Sequence, residues 1–179
     1  MAATIGNFAS GDVLTAAQMN TLGLEFLDDQ EFNGYGGVAS NVLSGDFSQY
    51  MVSFYGKLGT SSSALYWRFQ RGGSELSTSN YNYSTTYSNM TGGAPGNLYS
   101  TNSSNIRLGA IDTNGAMLNA FITLGYNNRA MVTFQSMYGK VAQYVGAGQF
   151  YDGTAVTGFK IYRTANLTDM RVKVYGLRN

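Results

Sequence analysis

Tyr81, Tyr83 and Tyr87 stand among serine, threonine and asparagine side chains, and at the strand period Tyr81 and Tyr83 share one face. Exposed tyrosines beside amides and hydroxyls stack on sugar rings and satisfy sugar hydroxyls, so glycan binding is the chemistry these three residues offer. The competing reading packs the same rings on the domain's own sheet or on a neighbouring subunit.

The acidic residues offer less. Asp28, Asp29 and Glu31 carry the oxygen ligands that calcium takes, but three carboxylates without further donors suit a solvated helix end better. Asp112-Thr113-Asn114-Gly115 reads as a turn rather than half of a calcium loop. No metal site is expected. Glycoside hydrolysis would need two carboxylates about 5–9 Å apart, drawn from Glu75, Asp112, Asp152 and Asp169, and their spacing selects no pair. The chain has no histidine and no cysteine, which removes imidazole bases, thiol nucleophiles, disulfides and most transition-metal sites. Gly146-Ala147-Gly148-Gln149-Phe150 lacks the third glycine and the following helix of a dinucleotide fingerprint, and reads as a strand-joining loop. The expectation is a protein without catalytic residues or cofactor.

The elements that must position these residues follow from period-two alternation. Gln49 to Tyr55 sets Tyr50, Val52 and Phe54 against Met51, Ser53 and Tyr55; Ala64 to Arg71 sets Leu65, Trp67 and Phe69 against Tyr66, Arg68 and Gln70. Met117 to Tyr126 puts Leu118, Ala120, Ile122 and Leu124 on one face, and Ala130 to Tyr138 puts Val132, Phe134, Ser136 and Tyr138 together. Phe159 to Arg163 and Met170 to Tyr175 close the series, with Met170, Val172 and Val174 opposed to Arg171, Lys173 and Tyr175. Turn signals such as Arg71-Gly72-Gly73 and Thr113-Asn114-Gly115 separate the runs. Residues 77–105, dominated by Ser, Thr, Asn and Tyr, read as the largest loop, or a loop pair around one polar strand. Eight or nine strands without intervening helical patterns predict a mainly β fold, an antiparallel β-sandwich of jelly-roll type, over residues 31–179.

Residues 1–30 differ in kind. They are expected to form an extended arm and one short α-helix from Ala16 to about Phe26, in which Thr15 caps, Gln18 completes a capping box and Leu14 staples onto Met19. Met19, Leu22 and Phe26 share a helical face, although Gly23 in its middle costs about 1 kcal/mol against Ala. Charge is divided in the same sense. Residues 1–56 hold six acids and no base, a net of −6, whereas residues 57–179 hold eleven bases and four acids, a net of +7. The acidic end is a candidate docking surface, and the scattered bases do not form a nucleic-acid interface. No run of about 18 apolar residues and no basic, apolar leader is present, so neither membrane insertion nor a secretory signal peptide is expected.

The segment Gly11-Asp12-Val13-Leu14-Thr15-Ala16-Ala17-Gln18-Met19-Asn20-Thr21-Leu22 resembles the N-terminal segment of tailed-bacteriophage virion proteins, among them tail fibre and head-decoration proteins. Leu43 to Tyr50, Arg68 to Gly73, Tyr81-Asn82-Tyr83 and Val174 to Asn179 are similar to a β domain found on phage structural proteins. The resemblance implies a homotrimeric, jelly-roll-like module fixed to other virion proteins by its N-terminus, with Leu14, Thr15, Gln18, Met19, Leu22 and Phe26 as the anchoring residues. A tail fibre or adhesin contacting host surface glycan is the first expectation. The chain has no repeat or coiled-coil shaft, so a capsid decoration (cement) protein is the alternative, and a glycan-hydrolysing tailspike a third.

Overall fold

The computed structural model describes residues 23–59, 62–125, 129–139, 141–153 and 155–177. These form twelve β-strands: β1 Leu24–Phe32, β2 Tyr35–Ser40, β3 Gln49–Leu58, β4 Ser63–Arg71, β5 Ser74–Glu75, β6 Tyr81–Asn89, β7 Gly96–Ser103, β8 Ile106–Ile111, β9 Ala116–Leu124, β10 Ala130–Tyr138, β11 Ala142–Phe150 and β12 Gly158–Leu177. Every pairing among them is antiparallel. The mainly β expectation is met, and there is no helix among the described residues.

One strand organises the rest. The 20-residue β12 pairs through Gly158–Tyr162 with β4 on one side and β2 on the other. From Leu167 to Leu177 it pairs instead with β3, and from Met170 onward also with β1. The pairing shifts register between Tyr162 and Leu167 and between Thr168 and Arg171, and Asp169 sits at φ 48°. Such irregularities bend a strand, so the two halves of β12 can serve two differently oriented groups of strands. The larger group runs β7-β6-β11-β10-β9-β3-β12-β1, and the smaller holds β4 with β5, β8, β12 and β2. Strand β8 packs against β6, β10 and β11 of the larger group, which folds the sheet over on itself.

Alternation fills the space between the groups. Tyr50, Val52, Leu65, Trp67, Phe69, Ile122, Val132, Val172 and Val174 are all fully buried, on the faces expected for them. The Trp67 ring stacks on Phe159 at 4.4 Å, and Tyr81 and Phe150 pack at 4.8 Å. Close approach explains the glycines of β11. A Cβ on Gly148 would lie 2.6 Å from the Ile106 side chain of β8, so Gly146 to Phe150 is a strand interior that admits a neighbour, not the expected loop. Residues 77–105 likewise differ from the expected loop and supply two strands, β6 and β7. Ser84, Thr86 and Ser88 of β6 lie on its exposed face, while Tyr81 and Thr85 face the core.

The helix expected to reach Phe26 is corrected. Gly23 turns the chain at φ 77°, and Leu24–Phe32 is strand β1 along the edge of β12. Met19, Leu22 and Phe26 fit a helical period, but docking on the open edge of β12 adds ladder hydrogen bonds that local propensity cannot match. Strand β1 therefore crosses the boundary drawn between residues 30 and 31. Leu14, Thr15, Gln18, Met19 and Leu22 lie outside the described residues.

Candidate interaction face

The three tyrosines expected to bind glycan all lie on the inward phase of β6. Tyr81 is fully buried; its hydroxyl accepts the Phe69 N–H at 3.0 Å and donates to the Leu76 carbonyl at 2.8 Å. Burial pushes its phenol well above the ordinary tyrosine value. It cannot touch a ligand, and its assignment to glycan contact is withdrawn. Tyr83 is partly buried against the core, and burial raises its phenol too. The Tyr87 ring lies 5.6 Å from that of Tyr144 and over Gly96. Phe26, expected on an anchoring helix, is instead half exposed on β1 with its ring edge-on to Tyr175 at 5.6 Å.

Several of the acids are held by bases. Arg171 donates to both oxygens of Asp29, at 2.9 and 2.7 Å, and this hydrogen bonding lowers the Asp29 carboxyl below its ordinary value. Part of the charge asymmetry between the two ends of the chain is thus cancelled locally, across the β1–β12 ladder. Asp28 accepts from Ser40 and Gln30, Asp112 caps its own turn through the Asn114 N–H, and Asp169 pairs with Lys57. Among the described residues no cluster of acidic side chains is arranged to hold a metal ion.

Glu75 sits between Arg68 and Lys160 on the outer face of the smaller group. Arg68 also donates to the Ser104 carbonyl at 2.9 Å and lies over the Tyr162 ring at 4.8 Å. Partial burial would raise the Glu75 carboxyl, but hydrogen bonds from Lys160 and Arg68 outweigh it and leave the carboxyl below the ordinary value of 4.5. A depressed carboxylate stabilises the fold fully above its unfolded value and loses that contribution as pH falls through the folded one. Wild-type protein should therefore lose thermal stability on acidification below about pH 4.5 more steeply than Glu75→Gln; melting curves recorded across that range check it, and parallel curves would show the network to be inert.

What the structure does expose is the outward phase of β9, β10, β11, β6 and β7. None of these five adjacent strands contains an Asp, Glu, Lys or Arg. Their cross-strand partners form rows across the face. One row runs Phe121, Thr133, Ala147, Ser84, Tyr99; another runs Thr123, Met131, Gln149, Asn82. Met117, Phe121, Met131, Met137, Val145 and Tyr99 are each 46–79 % exposed. Small residues between Phe121 and Tyr99 leave a groove of about 440 Å³ walled by Tyr99, Met131, Ala147 and Gln149. A second hollow of about 330 Å³ lies diagonally across, between Tyr55, Met117 and Met137.

Monomeric proteins rarely leave so many large apolar side chains together on one face. Among the described residues the face carries hydroxyls and amides but no carboxylate and no basic side chain. These residues are not legible from the inward apolar phase, which marks only the core. The available signal was the opposite phase, where Met, Phe and Val occupy positions that a solvated sheet fills with Lys and Glu. Compared with family models, curated proteins and solved structures, the chain matches none.

Proposed function

We propose that this chain is a structural, non-enzymatic bacteriophage virion protein of the tail fibre or adhesin type, its N-terminal segment attached to other virion proteins and its β domain displayed outward. The folded-over sheet is taken as an antiparallel sandwich of jelly-roll type. Two things support the reading: the likeness of residues 11–22 to phage anchoring segments, and, above all, the uncharged outer face of five neighbouring strands. That face suits assembly, in which a domain works beside other subunits rather than alone in solvent. A capsid decoration protein is the alternative, favoured by the removal of Tyr81 from the candidate glycan contacts.

Immunogold labelling of intact particles, with antibody raised against residues 57–179, tests the proposal. Gold at the tail tip is expected. Gold spread over the head would replace the adhesin with a decoration protein, and particles without label would overturn the virion assignment.

A further inference from the structure

We infer that the outward face of β9, β10, β11, β6 and β7 is covered, in the working protein, by a second copy of this same chain. The inference concerns the β domain alone and holds whether or not the protein belongs to a virion.

The dimensions fit. Five strands spaced about 4.8 Å apart and about nine residues long at about 3.4 Å each span roughly 700 Å². A specific protein–protein interface of standard size takes about 800 Å² from each partner. The chemistry fits as well. A face without one charged side chain gains nothing from a charged partner and would strand that partner's charges away from water. An identical face meets it without that cost.

The layout of the face also lets it meet a copy of itself. Met117 and Phe121 project from β9 at one side of the patch, and the groove bounded by Tyr99 and Met131 lies towards the other side. A closed interface between identical faces pairs each residue type with a different part of the partner. With a two-fold axis along β11, the middle strand of the five, the Phe121-to-Tyr99 row sets each copy's Phe121 against the other's Tyr99 at the rim of the groove. Asn82 and Gln149, and the paired Asn119 and Gln135 of β9 and β10, carry amides that can donate and accept across such a contact.

Light scattering of the full chain at micromolar concentration should give a multiple of the single-chain mass of 19.3 kDa. Phe121→Lys and Met131→Lys should each weaken association by about a hundredfold or more, because a lysine would be desolvated without a partner. Gln135→Lys places the same charge in the middle of the face and gives up no apolar contact, so it keeps the test valid if either apolar replacement misfolds. Ser74→Lys, exposed on β5 and off this face, should leave the mass unchanged. Near-ultraviolet circular dichroism checks that each variant is folded. A wild-type mass of one chain would overturn the inference and leave the face to another protein or a glycan. An oligomer that survives Gln135→Lys and whichever apolar variant folds would overturn it equally, since association would then use a different surface.

Discussion

Tyr81→Ala is expected to lower the unfolding free energy by about 3–5 kcal/mol, the range for deleting a large buried aromatic ring. The ring packs between Phe150 at 4.8 Å and Phe69 at 6.4 Å, so its removal leaves a cavity among rigid neighbours that cannot close over it. The hydroxyl adds a separate contribution. It accepts from the Phe69 amide of β4 and donates to the Leu76 carbonyl just beyond β5, tying β6 to the base of the β4–β5 hairpin. Tyr81→Phe keeps the ring and orphans both backbone groups, at a cost of about 1–3 kcal/mol. Urea unfolding followed by tryptophan fluorescence measures both, since Trp67 is fully buried in the same core. A Tyr81→Ala protein as stable as wild type would contradict this packing and reopen a surface role for the residue.

The second large effect concerns β8, whose one ladder among the described residues is with β4. Its other side faces the inner surface of the larger strand group, where backbone carbonyls would be stranded among apolar side chains. Two hydroxyls prevent this. Thr85 Oγ1 donates to the Arg107 carbonyl at 3.2 Å, and Ser136 Oγ donates to the Leu108 carbonyl at 2.9 Å. Both residues are buried, at 0 and 2 % exposure, so no water replaces them. Thr85→Val and Ser136→Ala should each destabilise the fold by about 1–3 kcal/mol through the orphaned carbonyl. The two act on one short strand, so the double variant should depart from the sum of the singles. Hydrogen exchange should show β8 and β4 amides losing protection before those of β9 and β10; uniform loss would mean that the hydroxyls do not hold β8 in place.

These buried hydroxyls show what a linear reading of residues can and cannot reach. Ser136 was assigned correctly to the inward phase with Val132 and Phe134, because alternation along a strand depends only on neighbours two residues apart. That it serves the Leu108 carbonyl, 28 residues away, depends on how the chain folds back. Tyr81 failed for a related reason. Its polar neighbours along the chain suggested an exposed ring, but the chain neighbours of a strand residue lie on the opposite face, and its spatial neighbours are Phe69 and Phe150. The Gly146-to-Phe150 run reads locally as a loop because glycine favours turns. Only the approach of Ile106 shows why a strand interior needs glycine there.

The sequence by itself determined that the protein is mainly β, where five of the twelve strands lie, which side chains of those strands, β3, β4, β9, β10 and β12, face inward, and that chemistry based on histidine or cysteine is impossible. Those properties follow from side-chain type and short-range periodicity, and both are complete in the linear order of residues. Tertiary structure alone decided that Leu24–Phe32 is an edge strand rather than a helix, that Asp29 answers Arg171, and that β12 bends to serve two groups of strands. It alone also decided that Phe121, Met131 and Tyr99 meet on a single uncharged face. Strand order and register are settled by pairings between residues tens of positions apart, and their energies belong to no single segment of the chain.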